Sequence, residues 1–486
     1  MKFKNIIFFL AATAIMAVIL MLPLPSPIQT HGGEIALTVH GKAALAVLAM
    51  VVALWITEAV PFPVAGIMGM LLLVITGAGN LTTLVKNGFG NSIILFFLGM
   101  LLFSAAIGET NLLRRVTTHL LYHLGHKPKA VIFTFIVVGA LLSFCIVEMA
   151  VAAMLLPIGV SILKDAGVKP QESNFGRALM IACAWGPMAG GIATPAGCGP
   201  NPLTISFLKN LAGINISFLD WMTLGVPATI LMVPCAWLIL ISVFPIEQGV
   251  NLALAENEFK AKLQEMGRLK KNEICTMAIF GLMMFLWLCA PWIEKWSGGA
   301  IGYLDVSYVA VACSSLFFLP GIEIISWKKA EREINWGGIV LIATGLSMGM
   351  AVYDTGAAAW IAQVAFSRLG DLPPVAIVFC VVAGVSLMKM LFSSNTVTGI
   401  IMVPLLIALA KNLGLPPTLV AMPAGISASL AFLLVTSTPT AVIPYSSGYF
   451  SIRDMAKAGV WMEIAAWSCV TLSVVVFGRM SGLIKF

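Results

Sequence analysis

Four consecutive small polar residues, Ser393 to Thr396, interrupt an apolar tract that runs from Val375 to Ala410. Hydroxyl and amide oxygens can ligate a small cation, and the backbone N–H groups freed at a helix end can bind an anion. Because backbone polar groups inside a bilayer must be paired, such a break is tolerated only where it faces protein or a water-filled cavity. The tract also exceeds the about 20 apolar residues that one membrane crossing needs. We therefore predict a helix that enters the membrane, breaks at this polar tip and returns.

Two charged side chains lie inside apolar tracts of this kind, Glu148 within residues 131–163 and Lys389 within residues 375–410. A charge at membrane depth is costly unless it is neutralised, paired or bound to an ion. Glu148 has three interpretations: a structural ion pair with Lys389, a sodium ligand, or a group that takes up a proton. For Lys389 the alternatives are an ammonium that reaches the membrane interface and a fixed positive charge that stands in for a sodium ion.

The composition indicates that these helix breaks lie within a membrane. Of 486 residues 60% are apolar and 10% are charged, and the mean hydropathy is +1.00. These values predict an all-α polytopic membrane protein with the lipid bilayer as its surroundings. The net charge of +7 does not indicate nucleic acid, because the basic residues lie between apolar runs and act as topology signals. No oriented nucleophile, paired catalytic carboxylates or H-E-x-x-H helix is found, so the sequence does not indicate an enzyme.

The chain also repeats itself at a spacing of 245 to 247 residues, which predicts two homologous halves. The same spacing places Ser394–Thr396 opposite Val147–Met149, so the unusual residues of both halves fall at equivalent positions. The landmark pairs are Glu109 and Asp354, Leu124 and Leu369, and Pro157 and Pro404.

Charge predicts the orientation of the halves. The first amphipathic stretch and the loop after it carry Arg114, Arg115, Lys127 and Lys129, whereas its counterpart carries only Arg368. By the positive-inside tendency the first is cytoplasmic and the second external, so the repeats are inverted. The same model places the N-terminus in the cytoplasm, with the protein in a bacterial or archaeal-type inner (plasma) membrane.

The predicted division of the chain follows from these repeats. Each half has scaffold helices followed by a mobile unit that contains a re-entrant hairpin and a broken helix, and a cytoplasmic linker joins the halves. The predicted ranges are scaffold 1–130, mobile unit 131–247 with hairpin 131–163 and broken helix 177–211, linker 248–273, scaffold 274–374, and mobile unit 375–486 with hairpin 375–410 and broken helix 419–445.

At this point the chain resembles the divalent anion/sodium symporter (dicarboxylate transporter) family over nearly its whole length. The motifs that carry the resemblance are Trp55 to Pro63, Ser394 to Thr396, Gly197 to Asn201, Thr438-Pro439, and Ser447 to Tyr449 followed by Asp454 to Gly459. The resemblance implies a homodimeric, elevator-type secondary transporter of small organic anions, most simply C4-type dicarboxylates. Transport would be coupled to sodium, protons or counter-substrate, with sodium as a candidate coupling ion and no cofactor.

The resemblance also implies binding residues. The substrate-binding set is Glu148, Met149, Asn201, Ser394, Asn395, Thr396, Thr438 and Pro439. The first sodium site would use Ser143, Glu148 and Gly197, and the second would use Ser393, Asn395 and Ser437.

Three departures from the family pattern leave alternatives open. Val147-Glu148-Met149 stands where the family has a second Ser-Asn-Thr, Ala441 replaces an Asn, and Lys389 lies outside the pattern. With Glu148 and Lys389 as coupling residues, the chain could instead be a cation/proton antiporter or a cation-independent anion exchanger. Residues 394–396 could also be helix-packing polar residues, and Asn201 and Thr438 could cap helix ends.

Overall fold

A computed structural model of the protein describes residues 2–30, 33–124, 127–250, 252, 260–261, 263–298 and 305–484. Residues 251, 253–259 and 262 of the predicted linker 248–273 therefore lie outside the described residues. The described chain is almost entirely helical, apart from one short antiparallel ribbon in which Ile28 pairs with Ile35.

The first half contains the ribbon and eleven described helices. The ribbon consists of β1 (Ile28–Thr30) and β2 (Gly33–Ile35). The helices are α1 (Lys2–Met21), α2 (Val39–Thr57), α3 (Phe62–Ile75), α4 (Leu81–Asn87), α5 (Ser92–Gly108), α6 (Leu112–Leu124), α7 (Pro128–Ser143), α8 (Glu148–Asp165), α9 (Asn174–Gly191), α10 (Pro200–Ala212) and α11 (Phe218–Val243).

The described helices of the second half follow the same order. They are α12 (Lys271–Trp296), α13 (Val306–Ser315), α14 (Trp327–Glu333), α15 (Trp336–Asp354), α16 (Ala357–Phe366), α17 (Pro374–Lys389), α18 (Asn395–Asn412), α19 (Pro417–Ser427), α20 (Pro439–Tyr445) and α21 (Ile452–Met480). Short 3₁₀ turns occupy Leu316–Phe318, Ser367–Asp371 and Val435–Ser437.

Within the described residues, seven helices are long and apolar enough to cross a membrane, or eight if the bent pair α4 and α5 forms one span. The prediction of an all-α polytopic membrane protein is therefore confirmed.

The ten described helices of the second half correspond in order to α2–α11, and α1 has no described counterpart. Both α7 and α17 are 16 residues long and begin with proline, and both α8 and α18 are 18 residues long. Proline is favourable at the first position of a helix because its missing N–H is not needed there. Helix α11 begins with a capping box formed by Ser217 and Asp220, and α21 begins with one formed by Ser451 and Asp454.

The helices of the two halves also pack across each other. α5 packs on α13 while α15 packs on α3, and α8 packs on α20 while α18 packs on α10. The second arm of each hairpin thus contacts the broken helix of the opposite half.

Both long tracts break, the first just before Glu148 and the second at its polar tip. Residues 144–147 separate α7 from α8, and residues 390–394 separate α17 from α18. The hydroxyl of Ser394 caps α18 by accepting a hydrogen bond from the Val397 N–H. A capping serine satisfies one of the N–H groups that a new helix leaves unpaired, so the helix restarts here.

Helix α6 is amphipathic, as its sequence indicates. Its Arg115 contacts the C-terminal part of the linker. The guanidinium of Arg115 donates hydrogen bonds to the carbonyls of Met266 and Gly267 and pairs with the buried carboxylate of Glu273 at 3.2 Å. The start of α12 is therefore tied to the first half.

The N-terminus of α9 is capped from outside the membrane-spanning segments by Glu247. Its carboxylate accepts hydrogen bonds from the N–H groups of Asn174 and Phe175 and from the Ser173 hydroxyl. Partial burial acts to raise the pKa of Glu247, but these hydrogen bonds outweigh it and hold the pKa below its usual range.

We expect this cap to make stability depend on acid pH. A carboxyl group with a lowered folded-state pKa stabilises the protein above its unfolded pKa, and the contribution is lost as the pH falls through the folded value. The Glu247→Gln variant should therefore lose less thermal stability than the wild type when the pH is lowered below the ordinary glutamate value of 4.5. Thermal unfolding in detergent at a series of pH values measures this, and identical pH profiles would contradict it.

Candidate functional site

The two hairpin tips meet at a contact between Glu148 and Asn395, the first residues of α8 and α18. The Asn395 side-chain amide donates a hydrogen bond to Oε1 of Glu148 at 2.5 Å. Both residues are buried, with 3% and 6% of their surface exposed. The residues that the repeat predicted to be equivalent are therefore in direct contact, 247 positions apart in the chain.

Glu148 is held by both broken helices as well. The hydroxyl of Thr440, in α20, donates to Oε1 at 3.3 Å, and the Glu148 backbone N–H donates to the Gly197 carbonyl at 3.2 Å. The second carboxylate oxygen, Oε2, is buried and accepts no hydrogen bond from the described residues. A buried carboxylate oxygen without a donor is costly, so this oxygen favours a bound cation or a proton.

The unpaired oxygen lies close to Gly191, the last residue of α9, where the lack of a side chain lets several oxygen atoms approach the backbone. A Cβ placed on Gly191 would lie 2.9 Å from Oε2 of Glu148, 3.3 Å from the Gly197 carbonyl oxygen and 3.4 Å from Oγ of Ser143. A carboxylate, a carbonyl and a hydroxyl are hard oxygen donors, the type that alkali cations prefer. The residues predicted for the first sodium site thus lie around Gly191, with the Ser143 hydroxyl also donating to the Ile146 carbonyl at 3.3 Å. We call this cluster of oxygens the Gly191 pocket.

Asn201 lies beside this pocket and ties the first broken helix together. Its Nδ2 donates to the Gly191 carbonyl at 2.8 Å and to the Thr194 carbonyl at 2.7 Å. The side chain thus caps the C-terminal end of α9, as the sequence allowed, and bridges the break to α10. Its Oδ1 and the Oδ1 of Asn395 are buried and accept no hydrogen bond from the described residues, which leaves both free for a ligand.

Lys389 is the last residue of α17, and its side chain is completely buried. Its ammonium donates to the carbonyl of Phe392 at 2.9 Å and to the carbonyl of Ser437. The side chain therefore does not extend to the membrane interface. The described ion pairs do not include one between Lys389 and Glu148, because each is bonded to a different set of partners.

The residues predicted for the second sodium site are not gathered into one oxygen cluster. The Ser393 hydroxyl donates to Oε1 of Glu58 at 2.5 Å, and the Ser437 hydroxyl donates to the Leu434 carbonyl at 2.7 Å. The Ser437 carbonyl is taken by Lys389. The physical reason for this difference is that an ammonium already occupies the carbonyl oxygens that a metal ion would use.

The predicted anion-binding residues surround the tips to different degrees. Thr396 faces Gly199, where a Cβ would lie 2.4 Å from the threonine hydroxyl. Thr438 precedes α20 without a side-chain capping bond, and its hydroxyl lies 3.4 Å from that of Thr440. Met149 is 38% exposed and Pro439 is also exposed, so both lie farther from the buried contact.

Four residues around the site were missed by the sequence reasoning. Thr440 and Cys198 lie within the broken segments but were not assigned a role, although the Asn395 amide contacts Cys198 Sγ at 3.5 Å. The role of Gly191 depends on what its missing Cβ would touch, which no sequence pattern reports. Glu463 carries a signal, because it is a carboxylate inside the apolar run from Val460 to Val476.

A comparison with protein families matches residues 3–484 to the sodium:sulfate symporter transmembrane region. The chain belongs to this family. The resemblance inferred from the motifs is therefore confirmed, and the protein is an integral membrane transporter.

Two relatives in this family match most of the chain. The sodium-dependent dicarboxylate transporter SdcS of Staphylococcus aureus (strain USA300) is 29% identical over 454 residues, which cover 89% of this chain and 85% of the relative. SdcS of Staphylococcus saprophyticus is 27% identical over 447 residues, with the same two coverages.

The fold is shared with a solved structure. The YdaH transporter of Alcanivorax borkumensis aligns with a TM-score of 0.57 and 16% sequence identity, covering 99% of this chain and 98% of that one. At this identity the likeness establishes the architecture alone.

Proposed function

We propose that the protein is a secondary transporter of C4-type dicarboxylates, driven by a sodium ion that binds in the Gly191 pocket. The observation that carries the proposal is the unpaired Oε2 of Glu148, which faces the Ser143 hydroxyl and the Gly197 carbonyl. The names of the SdcS relatives, which are sodium-dependent dicarboxylate transporters, support the same pairing of ion and substrate.

The charge on Glu148 explains why cation and anion would travel together. An ionised carboxylate at the tip of α8 repels a dicarboxylate, and this repulsion is strong in a buried, low-dielectric site. A sodium ion on Oε2 neutralises the carboxylate and fixes the two tips against each other. The N-terminus of α18 then offers backbone N–H groups, together with the hydroxyls of Ser394 and Thr396, to the substrate carboxylates.

We propose that the site alternates between the two sides of the membrane by an elevator motion. The mobile unit would comprise residues 131–247 and 375–486, and the scaffold would comprise 1–130 and 274–374. The pseudo-symmetric packing of α8 on α20 and α18 on α10 favours movement of both hairpins and both broken helices as one body. A homodimer, inverted repeats and a cytoplasmic N-terminus in an inner membrane belong to the same proposal.

Reconstitution into liposomes tests this proposal. Uptake of radiolabelled succinate should rise with an inward sodium gradient, and an equal potassium gradient serves as the control. Varying pH and internal succinate separately distinguishes sodium coupling from proton coupling and from exchange. Succinate that neither accumulates nor exchanges, together with a pH-dependent sodium flux, would instead establish the cation/proton antiporter.

A further inference from the structure

Glu463 is a second buried carboxylate, on α21, that the transport site does not use. It is 3% exposed, its Oε2 accepts a hydrogen bond from the Ser386 hydroxyl at 3.0 Å, and its Oε1 accepts one from the Phe432 N–H at 3.1 Å. The described ion pairs do not include Glu463. The buried Glu463 carboxylate therefore accepts hydrogen bonds from two neutral donors and forms no described ion pair.

Glu463 differs in charge from the residue at the equivalent position of the first repeat. Counted from their capping boxes, α11 and α21 place Thr229 and Glu463 at the same helix position. Thr229 donates to the Ala189 carbonyl at 2.7 Å, next to the break in the first broken helix. Glu463 likewise contacts the second broken helix, but with a charged group in place of a hydroxyl.

Lys389 also differs from the equivalent residue of the first repeat, but it carries a positive charge. Aligned end to end, the 16-residue helices α7 and α17 place Ser143 and Lys389 at the same final position. Ser143 is a ligand candidate of the Gly191 pocket, so Lys389 puts an ammonium where the second repeat would have its own pocket. The second repeat has therefore exchanged two hydroxyls, at the positions of Ser143 and Thr229, for a cation and an anion.

Glu463 and Lys389 hold the same unwound segment. Glu463 binds the N–H of Phe432, and Lys389 binds the carbonyl of Ser437, five residues farther along. The acidic side chains that attract the Lys389 ammonium are Glu148 from α8, which exerts the stronger attraction, and Glu463 from α21. Glu463 lies near Lys389 because its hydrogen-bond partner Ser386 is one turn before Lys389 on α17. Glu148 belongs to the crossing of the tips through Asn395 and Thr440, whereas Glu463 is the acidic group near Lys389 that lies outside that crossing. At low dielectric this attraction persists beyond direct contact.

We propose that Lys389 and Glu463 form a fixed charge pair that replaces a second exchangeable cation, so that the Gly191 pocket is the single cation site of the transport cycle. This inference rests on the proposed function, since it concerns how many cations accompany the substrate. Lys389 keeps its charge because Glu463 compensates it, and Glu148 is left available for the mobile ion.

A double-mutant cycle on thermal unfolding in detergent tests the pair. Lys389→Ser and Glu463→Thr each introduce the residue found at the equivalent position of the first repeat. Each single variant leaves the other buried charge without its partner. Each single variant should lower the unfolding midpoint by roughly 5 °C or more, and the double variant should recover much of that loss. Lys328→Ser and Glu331→Thr, exposed residues of α14, form the matched control and should show little coupling. Additive losses at positions 389 and 463 would overturn the charge pair.

The sodium dependence of the same proteins tests the stoichiometry. The double variant restores hydroxyls to the second repeat, so its uptake should depend more steeply on sodium concentration than that of the wild type. Equal steepness in the two proteins would overturn the single-site inference. If the wild type moves no dicarboxylate, the proposed function fails, while the thermal cycle still decides whether the charge pair exists.

Discussion

The Glu148→Gln variant is expected to lose sodium-driven uptake while it retains exchange of internal for external substrate. The glutamine carbonyl oxygen can still accept from Asn395 and Thr440, so the crossing of the tips is preserved. Its NH₂ group, however, replaces Oε2 and places a donor in front of the Ser143 hydroxyl and the Gly197 carbonyl. If losing the charged ligand lowers the binding free energy of the cation by about 3 kcal/mol, the cation should bind roughly 100-fold more weakly.

The measurement is succinate uptake and counterflow in liposomes over a range of sodium concentrations and pH values. Glu331→Gln, which removes an exposed carboxylate on α14, is the control and should behave as the wild type. A Glu148→Gln protein whose dependence on both sodium and pH is unchanged would show that Glu148 has only a structural role.

The Gly191→Ala variant is expected to block the cation pocket with a single methyl group. The new Cβ would lie 2.9 Å from Oε2 of Glu148, so the carboxylate must shift, and an apolar group would fill the space among the oxygens. Gly191 ends α9 with helical backbone and is not among the described residues with positive φ, so alanine strains no dihedral. The sodium concentration needed for half-maximal uptake should rise by at least about tenfold, or about 1.4 kcal/mol.

Gly384→Ala provides the matched control, because a Cβ at Gly384 in α17 would meet nothing within 4 Å. Its sodium dependence should equal that of the wild type. Thermal unfolding without sodium distinguishes a blocked pocket from a misfolded protein, since the Gly191→Ala protein should remain folded and lose only the stabilisation that sodium adds. Normal sodium activation in this variant would locate the cation elsewhere.

Local chemistry explains why the architecture could be predicted. The apolar tract breaks at Ser393 to Thr396 because Ser394 caps the start of a new helix. In the first half, Gly and Pro between Thr194 and Pro202 separate α9 from α10. These effects act within a few residues. The repeat spacing then predicted that Glu148 and Asn395 are equivalent, and each begins its helix in the structure.

The partners of the charged residues could not be predicted in the same way. The sequence allowed an ion pair between Glu148 and Lys389. In the structure the Lys389 ammonium instead binds the Phe392 carbonyl, between α17 and α18, and the Ser437 carbonyl, just before α20. Ser393, predicted as a sodium ligand, instead contacts Glu58, which is 335 residues away. Such contacts depend on how helices from opposite halves cross, and no local pattern encodes that geometry.

The sequence by itself determined the membrane class, the two-fold repeat, the family and the polar tip at Ser394–Thr396, because hydropathy, helix breaks and internal spacing are properties of short stretches. Only the tertiary structure decided that one oxygen of Glu148 is left without a donor beside Gly191, and that Lys389 and Glu463 hold one unwound segment. Those facts follow from the distances between packed helices, since a buried charge is stabilised by whichever groups the fold brings near it.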